Sequence, residues 1–501
     1  MSLVQLYAVV LVGGLTVLAS IAAARAAVRL GFPALLAFLA LGVLLGEDVL
    51  GIKFDDATLA QNLGMVALAL ILVDGGLTTQ WRDIRSLLLP AAMLATLGVA
   101  VSAGVVAAGA HLLLGLDWRT SLLLGAIVSS TDAAATFSVL RHLPLPPRIA
   151  GMLEAESGFN DAPTVIAVLI LSGAAHVPAT PGWIVADMVY ELAIGAAVGL
   201  GIGWLGSLAA RHVALPVSGL YPLATLGLGM VSFAAAGAAS ASGFISAYLT
   251  GVVLGNSTLP HGAATRSFAD GAAWLAQIGL FVMLGLLVTP SQLPSAVVPA
   301  LVVGAVMLLA ARPLSVAASL TPFRIPWREQ ALVSWAGMRG AVPIVLATIP
   351  VVAALPGSGQ VLNIVFVLVV AFTLVQGPSL APVAKLLGLT RPDQPRDVDI
   401  DAAPLDVLDA ALLTVTVPPK SKLHGLYMYE LRLPSHSVVN SVIRDGELFV
   451  PKATDRLRSG DELLIVTLRG EREATEARLR ALGRAGKLAK WFKDDGEPDP
   501  D

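Results

Sequence analysis

Cysteine is absent from this 501-residue chain, and charge is scarce: Asp, Glu, Lys and Arg together make up 13% of it. The first absence excludes disulfides, thiolate metal sites and cysteine nucleophiles. The second excludes an ordinary soluble domain, in which about a quarter of residues are charged. Aromatic residues reach 6% against 56% hydrophobic overall, so the apolar content is mostly aliphatic, and the mean hydropathy is +0.79. No soluble core has room for so much apolar sequence, and lipid is the solvent for most of it. The net charge of −3 offers no field for a nucleic-acid partner.

What is present is a series of apolar runs broken by short polar loops. They predict an all-α membrane protein with about thirteen transmembrane helices, over residues 3–24, 27–46, 59–79, 87–114, 118–140, 150–178, 184–209, 217–237, 241–255, 264–288, 292–318, 326–350 and 361–387. The first run lacks the basic flank of a signal peptide and is read as a span. Arg25, Arg82, Arg141, Arg211, Arg266, Arg312, Arg324 and Lys385 fall at loops or helix ends on one side, whereas Lys53 and Arg119 fall on the other. The basic side is cytoplasmic by the positive-inside rule, which puts the N-terminus outside and the C-terminus inside.

Composition shifts after Gly388. Residues 1–389 form the transmembrane domain and 390–404 a charged linker, while 405–485 read as a small α+β cytoplasmic domain. In the last, 412–417, 438–443, 447–450 and 462–468 are β-rich runs between turn signals, followed by a helix over 470–482. The charged tail 486–501 reads as disordered.

Ionisable residues inside spans are costly and mark function. Counting at the helical rise puts Asp161 roughly 16 Å into the sixth span, and Asp132 and Arg339 reach similar depth in the fifth and twelfth. Ser129–Asp132 interrupts one apolar helix with a polar cluster. Gly337-Met-Arg-Gly340 followed by Pro343 weakens the other. Such discontinuous helices, seven spans apart, suit two inverted six-helix repeats that cross near the midplane around an ion site. On the sixth span Ser157, Asp161 and Thr164 share a face, Asn160 adjoins them and Glu156 lies one turn below. A carboxylate among hydroxyl and amide oxygens suits a hard monovalent cation. Because burial disfavours the charged form of a carboxylate, the same oxygen can hold a proton or a cation in turn. Glu156 with Arg339 is expected as a structural ion pair. Asp132 is open to two readings, ion ligand or neutraliser of helix-end dipoles. Asp74 is likewise either a helper of the site or a solvated helix end.

Ser130-Thr-Asp132, Glu156-Ser-Gly-Phe-Asn-Asp161 and Gly337-Met-Arg-Gly340 resemble the motifs of the NhaP-type cation:proton antiporters, over roughly residues 5–390. The resemblance implies that Asp161 binds the cation, with Ser157 and the main chain of Thr131 completing its ligands. It also implies that Asn160 steadies the site, Glu156 pairs with Arg339, Asp74 helps coordination and the protein is a homodimer. The Asn-Asp pair resembles electroneutral exchangers, and the tenth span carries Gln277 but no lysine. Leu431–Pro434, Val438–Arg444 and Leu457–Val466 resemble the TrkA-C (RCK-C) domain, without a Gly-rich nucleotide-binding half. No bound cofactor is expected, apart from a regulatory nucleotide at this domain. Joined to such a domain, the antiporter is similar to the CvrA-type potassium:proton antiporters linked to cell-volume regulation, in the bacterial inner membrane.

The function expected is therefore secondary antiport of K⁺, or of Na⁺ or Li⁺, against H⁺ by alternating access. A gated cation channel is disfavoured because no Thr-Val-Gly-Tyr-Gly filter occurs. A proton-coupled transporter of organic solutes would call for aromatic residues near Asp161, where Phe159 and Phe137 are the candidates. Nothing in the chain arranges a nucleophile and base for enzymatic hydrolysis.

Overall fold

In lipid every backbone N–H and C=O must find its partner within the chain, which leaves the α-helix as the form for each apolar run. A computed structural model describes residues 2–29, 32–132, 146–173, 181–213, 215–257, 259–389, 399–405, 410–419 and 421–489. The chain forms two units, Met1–Thr390 and Arg391–Asp501. The first unit is built from α1 (Leu3–Arg29), α2 (Ala34–Leu45), α3 (Ala57–Thr78), α4 (Leu88–Leu114), α5 (Trp118–Ser129), α6 (Pro147–Ser172) and α7 (Pro181–His212). It continues with α8 (Leu220–Ala238), α9 (Gly243–Gly255), α10 (Gly262–Leu286), α11 (Pro294–Phe323), α12 (Trp327–Trp335), α13 (Ala341–Val352) and α14 (Ser358–Leu386). Among the described residues, eight helices are long and apolar enough to cross a membrane, and α2, α9 and α13 are shorter apolar helices. Each predicted apolar run falls on a helix of this series. The fifth falls on α5, with 133–140 outside the described residues, and the twelfth on α12 and α13 together.

The helices carry matching irregularities. α4 and α11 each contain a five-residue π-helical turn, Leu94–Gly98 and Met307–Ala311. π-turns are rare and concentrate at functional sites. The interrupted helices α5 and α12 follow directly, so both kinds of irregularity recur seven helices apart, as inverted repeats require. Packing is closest where side chains are absent. A Cβ on Gly76 would lie 2.3 Å from the Tyr248 carbonyl oxygen, and one on Gly251 would lie 2.4 Å from that of Val73, so α3 and α9 cross with their backbones in contact. Phe38, Leu124, Ile127, Leu280 and Leu284 belong to the main apolar core of this unit.

The second unit is a five-stranded antiparallel sheet in the order β1-β2-β5-β3-β4. Its strands are β1 (Asp399–Leu405), β2 (Ala410–Thr416), β3 (Ser437–Arg444), β4 (Glu447–Phe449) and β5 (Glu462–Leu468), and the helix α15 (Arg472–Ala485) follows. Leu413 and Val415 of β2 and Leu463 and Ile465 of β5 alternate onto a core shared with Leu479 and Leu482 of α15, the period-2 pattern of a sheet with one covered face. One expectation is corrected. Residues 399–404, read as linker, belong to β1, which pairs with β2 from Asp399 opposite Thr416 to Leu405 opposite Ala410. An edge strand needs one neighbour only, so it tolerates the charges and the Pro404 that made this stretch look irregular. The remaining linker residues 390–398 and the tail from 490 lie outside the described residues.

Candidate ion-binding site

The site is assembled where the unwound segments beside α5 and α13 meet α6. α5 ends at Ser129, and Ser130 turns extended. Asp132 then staples the two interruptions together: its N–H donates to the Met338 carbonyl at 3.0 Å, and its Oδ2 accepts from the Ala341 N–H at 3.0 Å. The carboxylate thus sits at the N-terminus of α13, where the helix dipole favours negative charge. A Cβ on Gly340 would lie 1.7 Å from the same Oδ2, so the motif glycine is what allows this approach. Of the two readings of Asp132, the geometry supports the neutraliser of a helix end.

α6 presents Glu156, Ser157, Asn160, Asp161 and Thr164, all buried. Ser130 donates its O–H to Asp161 Oδ1 at 2.7 Å. The hydroxyls of Thr131 and Ser157 share a hydrogen bond at 3.0 Å, and the Asn160 amide N–H donates to the Thr131 hydroxyl. Thr164 donates to the carbonyls of Asn160 and Asp161. Ser130 and Thr131 therefore reach from the unwound segment onto α6, one fixing Asp161 and the other Ser157 and Asn160. The Asn160 Oδ1 is buried and accepts no hydrogen bond among the described residues. It is a neutral oxygen left without a partner on the residue next to Asp161.

Asp161 opens onto a cavity lined also by Gln61, Met65, Leu68, Val165, Phe244, Val342, Val345, Leu346 and Ile349. It contributes the one carboxylate of that lining, whose walls are mostly apolar. Asp74, on α3, is outside this lining, and its backbone carbonyl accepts from Thr78.

The expected pairing of Glu156 with Arg339 is corrected. Glu156 is held by Arg312, which donates from both guanidinium nitrogens to its two oxygens at 2.6 and 3.1 Å, and also to the Val333 carbonyl. Arg312 follows directly on the π-turn of α11, which re-aims it from the helix register into the interior. It is 3% exposed, against the interfacial position read from the sequence. A Cβ on Gly337 would lie 2.6 Å from Arg312 Nε, so the two glycines of Gly337-Met-Arg-Gly340 make room for Arg312 and Asp132 respectively. Arg339 is fully buried, and its guanidinium makes no hydrogen bond among the described residues, while its carbonyl accepts from Thr373. Arg312 and Gln61 were missed in the sequence. Arg312 lies inside the predicted apolar run 292–318, but nearer its end than Asp161 lies in its own, so the depth count alone did not mark it.

The chain is similar to known proteins in both of its units. Residues 16–386 match the family "Sodium/hydrogen exchanger, transmembrane", and residues 412–480 match the TrkA-C domain. The K(+)/H(+) antiporter NhaP of Alkalimonas amylolytica is 39% identical over 91% of this chain and 80% of its own. The K(+)/H(+) antiporter NhaP2 of Shewanella oneidensis is 36% identical over 97% and 85%. In fold, the chain is similar to the sodium proton antiporter MjNhaP1 from Methanocaldococcus jannaschii at pH 8, with a TM-score of 0.67 and 23% identity over 77% of this chain and 100% of that one. The chain belongs to the sodium/hydrogen exchanger family.

Proposed function

We propose that the protein is a secondary antiporter that exchanges K⁺ for H⁺, the two ions competing for Asp161. The observation that carries this reading is the Asp161 carboxylate at the wall of an apolar cavity, fixed by Ser130. A charge in that setting is stable only with a counterion, and a proton and a cation are alternatives at one oxygen. Ser157 and Thr131, hydrogen-bonded to each other, are the further ligands on this reading. K⁺ is favoured because the relatives at 36–39% identity are named K(+)/H(+) antiporters. Exchange is one for one on this reading. Asp161 is the one carboxylate of the cavity lining, and one proton or one K⁺ neutralises it. The asymmetry of basic residues supports a cytoplasmic C-terminal unit in an inner membrane. That unit serves as a regulatory module for a nucleotide, and the assembly is a homodimer.

In inverted vesicles, addition of K⁺ is expected to dissipate a preformed pH gradient, and Asp161→Ala to abolish the response. Undiminished exchange in that variant would overturn the assignment. Replacing K⁺ by Na⁺ or Li⁺ tests the cation, and a rate that changes with imposed membrane potential would contradict one-for-one exchange.

A further inference from the structure

Along α6, Asp161 lies between two different surroundings. Towards the C-terminal end of the helix, Val165 shares the cavity with Gln61 of α3 and Ile349 of α13. Towards the N-terminal end, the next turn is Gly158, and the ring of Tyr248 from α9 covers it. A Cβ on Gly158 would lie 2.9 Å from Tyr248 Cζ and 3.0 and 3.2 Å from its two Cε atoms. The ring also stands edge-on to Phe159, with centroids 5.8 Å apart and planes at 84°. Its hydroxyl is 3.4 Å from Thr79 Oγ1, at the far end of α3 from Gln61. Tyr248 is 2% exposed. Its own backbone is pinned to α3, because its carbonyl lies against Gly76, so the ring is the part that bridges to the site helix.

An exchanger must expose its site to one side at a time, and the small cavity lies only on the side of Asp161 towards the C-terminal end of α6. We propose that Tyr248, seated on Gly158, closes the path from Asp161 to the membrane face at which α6 begins, and that each exchange cycle requires the ring to leave this seat. Gly158 is then a glycine because the ring occupies the space of its Cβ. Phe244, one turn earlier on α9, lines the cavity, so the same helix supplies a wall of the cavity on one side of Asp161 and the ring on Gly158 on the other. The proposal rests on Asp161 being the ion site.

The absence of cysteine makes the test direct. Leu68→Cys places a single thiol in the cavity wall, and a membrane-impermeant cationic methanethiosulfonate is applied to one face or the other of oriented vesicles. With Tyr248 in place and no transported cation present, so that the exchanger does not cycle, labelling is expected only from the face opposite the start of α6. In Tyr248→Ala, labelling from the other face is expected to rise about tenfold, the scale of one lost aromatic contact. Gly158→Ala, which displaces the ring, is expected to do the same, whereas Tyr248→Phe keeps the ring and one-sided labelling. Labelling from the face opposite the start of α6 reports that each variant is folded. One-sided labelling in Tyr248→Ala overturns the proposal; if that variant fails to fold, one-sided labelling in Gly158→Ala overturns it equally. The readout needs no cation flux, so its failure is distinguishable from a failure of the Asp161 assignment.

Discussion

Arg312 grips both carboxylate oxygens of Glu156, 2.6 and 3.1 Å away, across the interior between α11 and α6. Both side chains are nearly inaccessible, at 4% and 2% exposure. Removing one partner leaves the other as an uncompensated buried charge, at a cost of about 3–5 kcal/mol. Arg312→Met and Glu156→Leu are each expected to lower the unfolding temperature of the purified full chain markedly. The double variant is expected to be more stable than either single one. A strictly additive double variant would show that the pair is not coupled.

Gly340→Ala is expected to be more damaging than its size suggests. The new Cβ would sit where Asp132 Oδ2 sits, so either α13 shifts or its N-terminal cap is lost. A lost cap alone is worth about 1 kcal/mol, and displacement of the crossing adds strain of about 1–3 kcal/mol. Asp132→Asn retains an acceptor for the Ala341 N–H and is expected to fall between Gly340→Ala and the parent in thermal stability. Equal stability of Gly340→Ala and the parent would contradict the close approach.

Ser130→Ala removes the O–H that holds Asp161 Oδ1. A hydrogen bond to a charged group is worth about 1.5–3 kcal/mol, and part of that is expected as weaker cation binding. The KM for K⁺ in vesicle exchange is expected to rise about tenfold or more, with exchange still measurable, unlike Asp161→Ala. An unchanged KM would mean that Ser130 plays no part in the loaded site.

In the C-terminal unit, Asp461 accepts from Arg444 Nε and a terminal guanidinium nitrogen at 2.8 Å each, and from the Arg458 N–H at 2.7 Å. Burial pushes its carboxyl up, but the Arg444 and Arg458 hydrogen bonds and charges outweigh this and hold it below the usual carboxylate range. A folded-state value below the unfolded one, near about 3.9, gives stability that is fully present above the unfolded value and lost as pH falls through the folded one. Resistance of β5 to proteolysis in the full chain is therefore expected to decline below about pH 4. Asp461→Asn is expected to lower it by about 2 kcal/mol at neutral pH and to flatten its acid dependence. An acid profile identical to that of the parent would remove Asp461 as its source.

Much of the candidate site was legible before any fold was known. Asp132, Asp161 and Arg339 stood out because charge is rare in apolar runs, and a count of helical rise placed them at one depth. The interruptions at Ser129–Asp132 and Gly337–Gly340 were visible as short polar and glycine clusters within apolar runs. Partners were not legible. Glu156 and Arg312 are 156 positions apart, and nothing local distinguishes Arg312 from Arg339 as the mate. β1 was hidden for a related reason, since an edge strand takes its definition from β2 rather than from its own pattern.

By itself, then, the sequence determined the solvent of each segment, the helical form of the apolar runs and the depth of the charges. Those follow from the cost of unpaired backbone and of charge in lipid, which acts residue by residue. The tertiary structure alone decided that Asp132 caps α13, that Arg312 neutralises Glu156 and that Asp161 faces the cavity. Hydrogen bonds and ion pairs are formed by atoms within about 3 Å of one another, and only packing of the helices determines which atoms those are.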